Sequence, residues 1–243
     1  MISTLRSFLL VTLLLAAVAA CGDTSSSQAD QADQADQAGH AGQAAPAVSG
    51  RIENGLRVLA IDTAATDQHF VIYRGDYVRP EWSTGGSHAL EIPSLGVAQT
   101  FPPAEGERAY FKVPDAGSFA FTAGGASGVI EAIDYVSASY SEVGSREAAE
   151  FIATVDPLIL DVRTGREFAD GHLEGAVLIP VQELQRRMGE LAGNEQRPVL
   201  VYCRTGNRST VAAKLLVDAG FTRVANMRRG VVDWARQGLP LQK

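Results

Sequence analysis

The sequence predicts two folded domains: an all-β sandwich over residues 48–139 and an α/β domain with a central parallel sheet over residues 140–243. Two observations support this division. In the first segment, short apolar stretches alternate with turns rich in Gly and Pro, and helical spacing is scarce. In the second, continuous apolar runs alternate with segments of helical spacing, a pattern typical of a parallel sheet covered by helices.

The N terminus has the pattern of a secretory signal peptide. Arg6 precedes an almost uninterrupted apolar run over residues 8–20, which is too short for a comfortable transmembrane helix. Small residues then lead into Cys21, and the stretch Val18–Gly22 resembles the lipobox of bacterial lipoproteins. The resemblance implies that Cys21 is lipidated and holds the protein on a membrane of the bacterial cell envelope, at the periplasmic face or the outer cell surface. The alternative is an ordinary signal peptide cut after Ala20.

Residues 21–47 are predicted to form a disordered tether. The triplet Gln-Ala-Asp occurs three times between Gln28 and Asp36, and large apolar side chains are almost absent. Such a segment buries too little apolar surface to offset the entropy lost on ordering. The tether therefore spaces the folded domains from the membrane.

The β domain is predicted from stretches that alternate apolar and polar residues. These stretches are Arg57–Ile61, Phe70–Tyr73, Ala109–Val113, Ser118–Phe121 and Val129–Ile133. Turn residues separate them, as at Pro114–Gly117. The order of elements resembles the cupredoxin fold, with Ile92–Val97 leading to that family's central loop and residues 115–130 corresponding to its last two strands.

A copper site is not expected in this domain. Blue-copper sites use two histidines, a cysteine and usually a weak axial methionine. The domain has His69 and His88 but no Cys or Met, and Thr122–Gly128 stands where copper-binding members have their Cys, His and Met. No cofactor is predicted. A different metal bound by the two histidines and nearby carboxylates is an open alternative to two ordinary surface histidines.

The α/β domain is predicted from two apolar strands and three helical segments. The strands are Leu158–Val162 and Val199–Tyr202, and the helices are Ser145–Thr154, Val181–Leu191 and Ser209–Ala219. Ligands of such sheets bind beyond the carboxyl ends of the strands. Cys203 follows the second strand at that position.

The segment Cys203–Arg208 is the predicted active-site loop. A thiol between a strand and a helix N terminus faces backbone N–H groups and the helix dipole, which favour the thiolate. The predicted substrate-binding residues are Arg204, Thr205, Gly206, Asn207 and Arg208, whose two arginines supply fixed positive charge. Outside the loop, Ser209 is predicted to donate to sulfur or cap the helix, and Asp161 to bind a loop arginine.

Three separated blocks resemble the rhodanese family of sulfurtransferases. They are the Cys203 loop, the stretch from Ile159 to Ala176 and the closing segment from Ala225 to Pro240. Arg229 departs from the pattern, because the family usually has glycine there. The resemblance implies that Cys203 takes a sulfur atom from an anionic donor such as thiosulfate and passes it to a thiol or cyanide.

The loop length separates sulfur from phosphate chemistry. Cysteine phosphatases have five residues between cysteine and arginine, whereas Cys203 and Arg208 are separated by four, a tighter loop that suits a single sulfur atom. Two other classes of function stay open. One is a non-enzymatic sulfane-sulfur carrier or redox sensor, and the other is a binding protein whose β domain supplies the function.

Charge and cysteine content restrict the partners. The net charge is −7, and no basic face for nucleic acid is evident. The predicted partners are a small anionic sulfur donor, a thiol or cyanide acceptor, a membrane through the N-terminal lipid, and a protein that docks on the β domain. If Cys21 is acylated, Cys203 is the sole thiol and no intramolecular disulfide can form.

Overall fold

The computed structural model describes residues 47–243. The predicted signal peptide, Cys21 and nearly all of the predicted tether lie outside the described residues. Within them, no helix combines the length and the apolar character needed to cross a membrane.

Two β-sheets come first in the chain and share one apolar core. Their strands are β1 (Arg51–Glu53), β2 (Leu56–Ile61), β3 (Gln68–Tyr73), β4 (Tyr77–Trp82), β5 (His88–Ile92), β6 (Val97–Phe101), β7 (Phe111–Lys112), β8 (Gly117–Ala123) and β9 (Ala126–Ile133). The four-stranded sheet has the order β1-β2-β4-β7, and the five-stranded sheet has the order β3-β9-β8-β5-β6. Leu59 and Phe111 of the first sheet pack in one cluster with Leu90 and Phe121 of the second. The segment is therefore a β-sandwich.

Both sheets of the sandwich are mixed. β2 pairs with β4 in parallel, and so does β3 with β9, whereas the other neighbouring strands are antiparallel. Four strands, β1, β4, β5 and β6, were not predicted. β4 contains Pro80, a residue that argues against an interior strand, and β5 and β6 flank a 3₁₀ turn at Pro93–Leu95 that breaks their alternation. Burial of Pro80 in the sandwich overrides that local preference.

The second half of the described chain contains the predicted parallel sheet, which is confirmed. Its strands are β10 (Tyr140–Val143), β11 (Leu158–Asp161), β12 (Val177–Leu178), β13 (Val199–Tyr202) and β14 (Val224–Met227), in the order β10-β14-β13-β11-β12. All neighbouring strands are parallel. The helices are α1 (Ser145–Val155), α2 (Gly165–Ala169), α3 (Val181–Arg187), α4 (Asn207–Asp218) and α5 (Gly230–Arg236), with a 3₁₀ turn at Met188–Leu191.

Strand β13 shows how the sheet is covered on both faces. Successive side chains of a strand point to opposite faces. Val199 and Val201 belong to the cluster that includes residues of α3 and α4, whereas Leu200 and Tyr202 belong to the cluster that includes residues of α1 and α5. All four are fully buried. This arrangement makes β13 a central strand and places its carboxyl end in the middle of the sheet edge.

Two glycine turns pack the sandwich against the parallel-sheet domain. Gly55 has a φ of +72°, and a Cβ there would lie 2.9 Å from the Val181 carbonyl oxygen at the start of α3. Gly75 has a φ of +94°, and a Cβ there would lie 3.2 Å from the Asn207 carbonyl oxygen at the start of α4. Both the left-handed backbone and the close approach favour glycine. The sandwich thereby meets the edge of the parallel sheet that carries Cys203.

Candidate active site at the end of strand β13

The Cys203 sulfur lies at the carboxyl end of β13 and faces the start of α4. Cys203 is 1% exposed. Its Sγ accepts the backbone N–H of Gly206 at 3.1 Å, and the Ser209 hydroxyl lies 3.6 Å away. Gly206 adopts φ +99°, which turns its N–H back toward the sulfur. The loop therefore directs one backbone N–H at the sulfur, and the Ser209 hydroxyl lies nearby.

Helix α4 begins two residues earlier than the sequence predicts. The Gly206 carbonyl accepts the Thr210 N–H at 3.1 Å and lies 2.9 Å from the Ser209 hydroxyl, so Gly206 is the N-cap residue. Asn207 and Arg208 consequently belong to the first helical turn and not to the loop. The predicted helix start at Ser209 was wrong because a glycine cap carries a weaker sequence signal than Ser, Asn or Asp.

Arg208 is bound by Glu167 of helix α2. Its two terminal guanidinium nitrogens donate to the two carboxylate oxygens at 2.7 Å each, and the Arg208 side chain is 15% exposed. Glu167 also accepts the Thr164 backbone N–H at 3.0 Å. A bidentate pair of this kind is among the stronger charge-assisted contacts. The pair ties α4 to α2 and leaves Arg208 as a brace of the loop.

The same pair predicts a pH dependence of stability. Arg208 lowers the pKa of Glu167 to about 2, below its ordinary value of 4.5. A carboxyl with a lowered folded-state pKa contributes stability above its unfolded-state pKa, and this contribution is lost as the pH falls through the folded-state value. We expect Glu167→Gln to lower the free energy of unfolding at pH 7, and the difference from wild type to shrink between about pH 5 and pH 2. Urea unfolding across that range measures it. Glu174→Gln removes an exposed carboxylate and is the control, which should change the free energy of unfolding little at pH 7. A difference for Glu167→Gln that stays constant from pH 7 to pH 2 would contradict the prediction.

Asp161 binds Arg163 and not an arginine of the Cys203 loop, so that prediction was wrong. The carboxylate is fully buried and accepts the Arg163 Nη2 at 2.6 Å and the Arg163 backbone N–H at 2.9 Å. The Arg163 guanidinium also lies 5.5 Å from the centre of the Tyr202 ring and donates to the Gly171 carbonyl. Arg163, two residues along the chain, occupies the Asp161 carboxylate. Asp161 therefore fixes the end of β11.

The first turn of α5 packs against the backbone of the Cys203 loop. The Val231 N–H donates to the Cys203 carbonyl at 2.9 Å, and the Val232 N–H donates to the Arg204 carbonyl at 3.2 Å. At Gly230, a Cβ would lie 2.2 Å from the Cys203 carbonyl oxygen. The loop backbone thus lies directly against a glycine.

Arg229, the departure from the family pattern, has a φ of +67°, a conformation that favours glycine. We expect Arg229→Gly to raise the free energy of unfolding by about 1 kcal/mol, because the left-handed backbone costs a residue with a Cβ roughly 1–2 kcal/mol. Urea unfolding measures the change. Arg229→Ala keeps the Cβ and serves as the matched control, so equal stabilities of the Gly and Ala variants would contradict the explanation.

A cleft of about 620 Å³ lies between the Cys203 loop and the β-sandwich. From the parallel-sheet domain it is lined by residues that include Thr164, Glu167, Gln182, Arg204, Thr205 and Arg208. From the sandwich it is lined by residues that include Tyr77, Gln99, Arg108, Tyr110 and Lys112. The sequence left the role of the sandwich open, because no local pattern indicates which of its turns meets the loop.

Tyr77 brings a phenol of the sandwich close to the Cys203 loop. Its ring meets Tyr110 edge to face, with 5.3 Å between the ring centres. Burial, with a further contribution from nearby Cys203, raises the pKa of Tyr77 to about 12. The hydroxyl therefore stays protonated at neutral pH and can donate a hydrogen bond inside the cleft.

The two histidines of the sandwich lie apart. His69 on β3 contacts Glu131 at 3.0 Å, and His88 on β5 packs edge to face against Trp82. Two strands separate β3 from β5 in their sheet. The alternative of one metal bound by both histidines is therefore wrong. Among residues 47–243, no group of three or more His, Cys, Asp or Glu side chains is placed to hold a metal ion.

Comparison with known proteins places the parallel-sheet domain in a family. Residues 145–237 match the model of the rhodanese-like domain. A sulfurtransferase of Allochromatium vinosum is 38% identical over 102 residues, which cover 42% of this chain and 94% of the relative. Thiosulfate sulfurtransferase GlpE of Actinobacillus pleuropneumoniae is 31% identical over 107 residues, covering 44% of this chain and 97% of the relative. A rhodanese-related protein of Thermoplasma volcanium, known from its crystal structure, is 27% identical. The match covers 42% of this chain and 98% of that protein's chain, with a TM-score of 0.39.

Proposed function

The chain belongs to the rhodanese family through its parallel-sheet domain, and we propose that it is a sulfurtransferase with Cys203 as its nucleophile. It moves sulfane sulfur from an anionic donor such as thiosulfate to a thiol or cyanide. The observation that carries the proposal is the Cys203 sulfur itself, which ends a central strand and accepts the Gly206 N–H at 3.1 Å. The names of the sulfurtransferase relatives support the same chemistry.

In the first step, the Cys203 thiolate attacks the outer sulfur of thiosulfate. A bond forms between Sγ and that sulfur, the sulfur–sulfur bond of thiosulfate breaks, and sulfite leaves with the electron pair. Cys203 becomes a persulfide anion. Backbone N–H groups of the loop stabilise the terminal sulfur as the donors of an oxyanion hole stabilise oxygen.

In the second step, a thiolate or cyanide attacks the terminal sulfur of the persulfide. The sulfur–sulfur bond of the persulfide breaks, and Cys203 leaves as the thiolate that began the cycle. The product is a new persulfide or thiocyanate. Because the enzyme alternates between two covalent forms, steady-state kinetics should follow a double-displacement pattern.

The arginines Arg204 and Arg208 have different roles in this mechanism. Arg208 is occupied by Glu167, so it braces the loop. Arg204 is exposed and lines the cleft, and no carboxylate of the described residues is in ion-pair contact with it. Arg204 therefore orients the anionic donor. Four residues between Cys203 and Arg208 also make the loop tighter than that of cysteine phosphatases.

The test is a mass measurement of the intact protein after incubation with thiosulfate, followed by cyanide. We expect the mass to rise by one sulfur atom with thiosulfate and to return to its starting value as thiocyanate forms. Cys203→Ser is the control and should gain no sulfur. Absence of a gain that depends on Cys203 would overturn the assignment. Loading with slow turnover toward small acceptors would instead indicate a sulfur carrier.

The N-terminal segment is proposed to anchor the enzyme in the cell envelope through lipid on Cys21. Support comes from the lipobox-like stretch Val18–Gly22, which follows an apolar run of signal-peptide length. Labelled palmitate should be incorporated into the wild-type protein in bacterial cells. It should be absent from Cys21→Ser, and equal labelling of the two proteins would contradict the proposal.

The sandwich is proposed to be a cupredoxin-like domain without copper, and a protein partner is proposed to dock on it. The two mixed sheets and the hairpin of β8 and β9 support the likeness. Thr122–Gly128 lies in that hairpin without cysteine, histidine or methionine. Addition of Cu²⁺ should therefore produce no intense blue absorption.

A further inference from the structure

The cleft beside the Cys203 loop is larger than an inorganic sulfur donor requires. Its volume of about 620 Å³ falls in the range of roughly 300–1,000 Å³ that is typical of sites for organic ligands. Thiosulfate and cyanide are small ions that would leave most of this space unfilled. The sandwich, and not the rhodanese-like domain, supplies more than half of the residues that line the cleft.

The sandwich wall of the cleft presents two cations. Lys112 on β7 lies directly across from Tyr77 on β4, and Arg108 belongs to the loop that precedes β7. Gln99 of β6 donates to the Arg108 carbonyl at 2.8 Å and so ties this loop to the neighbouring strand. Tyr77 and Tyr110 form an aromatic surface on the same side of the cleft.

These cations lack carboxylate partners. Among residues 47–243, no Asp or Glu lies in ion-pair contact with Arg108 or Lys112, and the one acidic residue that lines the cleft, Glu167, is occupied by Arg208. Arg204 adds a third cation from the opposite wall. The cleft is therefore cationic on two sides, with an aromatic surface on the sandwich side.

We infer that the β-sandwich completes the active site by binding the organic sulfur acceptor, a peptide-sized thiol that carries more than one carboxylate, through Arg108 and Lys112. The inference rests on the proposed sulfur transfer at Cys203. The carboxylates meet cations of the sandwich, the body of the ligand lies against Tyr77 and Tyr110, and the thiol is directed to the loop. The acceptor thiolate then attacks the terminal sulfur of the Cys203 persulfide, forms an organic persulfide and releases the Cys203 thiolate.

Binding is tested first, without sulfur transfer. The probe is S-methylglutathione, a tripeptide with two carboxylates and no free thiol, added to the full-length protein in mild detergent and followed by calorimetry. We expect saturable binding with one site per chain, and binding roughly tenfold weaker for the diethyl ester, in which both carboxylates are uncharged. Absence of binding, or equal affinities for the acid and the ester, would overturn the inference.

The variants locate the site. Arg108→Gln combined with Lys112→Gln should weaken binding of S-methylglutathione roughly tenfold and remove the preference over the ester. Arg223→Gln removes an exposed cation that does not line the cleft and is the matched control, which should bind like wild type. Wild-type affinity of the double variant would overturn the inference.

Transfer is tested second, by discharge of the thiosulfate-loaded protein with glutathione or its diethyl ester at equal thiolate concentration. Wild type should prefer glutathione, and Arg108→Gln combined with Lys112→Gln should lose this preference. If Cys203 takes up no sulfur while S-methylglutathione binds, the proposed function fails and the binding site stands. If Cys203 takes up sulfur but neither binding nor discharge differs between the acid and the ester, the proposed function stands and this inference fails.

Discussion

Gly230→Ala is expected to slow sulfur loading of Cys203 by roughly 100-fold and to lower the free energy of unfolding by about 2–4 kcal/mol. The added methyl group would lie 2.2 Å from the Cys203 carbonyl oxygen and 2.6 Å from the Arg204 carbonyl carbon. Both are backbone atoms of the loop, so they cannot rotate away as a side chain can. The loop must move, and a displacement of about 1 Å at a nucleophile is enough for a loss of this size.

Gly238→Ala is the matched control for this variant. Gly238 also has a positive φ, +73°, but no atom lies within 4 Å of the Cβ that alanine would add. The Gly238→Ala variant should therefore lose about 1 kcal/mol of unfolding free energy for the backbone conformation alone and load sulfur at the wild-type rate. The loading rate is followed by mass spectrometry and stability by urea unfolding. Equal loading rates for the two alanine variants would show that the loop does not depend on its contact with Gly230.

Arg57→Met is expected to lower the free energy of unfolding by about 3–5 kcal/mol, because it leaves a buried carboxylate without its partner. Arg57 and Asp76 form an ion pair with both side chains 3% exposed. Asp76 also accepts the Tyr73 N–H at 3.1 Å, and Arg57 donates to the Ser49 carbonyl at 2.9 Å. The pair thus holds the turn between β3 and β4 that packs on α4 and carries Tyr77 into the cleft.

The stability lost in Arg57→Met should depend on pH. Burial raises the pKa of Asp76, and the Arg57 guanidinium opposes that rise. Without Arg57 the folded-state pKa rises further. A carboxyl whose pKa is raised by folding contributes stability below its unfolded-state pKa, and this stability is lost as the pH rises through the folded-state pKa. The variant should therefore be less destabilised in acid than at pH 7. Urea unfolding at both pH values measures this difference.

Two variants control the experiment on Arg57. Arg51→Met breaks ion pairs with Glu53 and Glu81 in which Arg51 is 53% exposed, and it should destabilise the protein far less than Arg57→Met. Addition of Asp76→Asn to Arg57→Met removes the unpaired charge and should recover part of the stability. Losses of the same size for Arg51→Met and Arg57→Met would contradict the importance of the buried pair.

The position of the Cys203 thiol was predictable from the sequence because it is encoded locally. Val199–Tyr202 is a continuous apolar run, Cys203 follows it, and a glycine and a helix come next. This order alone places a thiol at a strand end beside backbone N–H groups. The sequence predicted a β-sandwich but missed some of its strands, because β4 contains a proline and β5 and β6 flank a 3₁₀ turn.

The amino-acid sequence by itself thus determined the place of Cys203, the proposed nucleophile, the spacing from Cys203 to Arg208 and the parallel sheet that precedes them, since each depends on residues adjacent in the chain. Only the tertiary structure decided which side chains surround them. Glu167 lies 41 residues before Arg208, and the cations of Arg108 and Lys112 belong to a different domain. Such pairings depend on how the domains pack, here through the turns at Gly55 and Gly75, and no local pattern of residues records that packing.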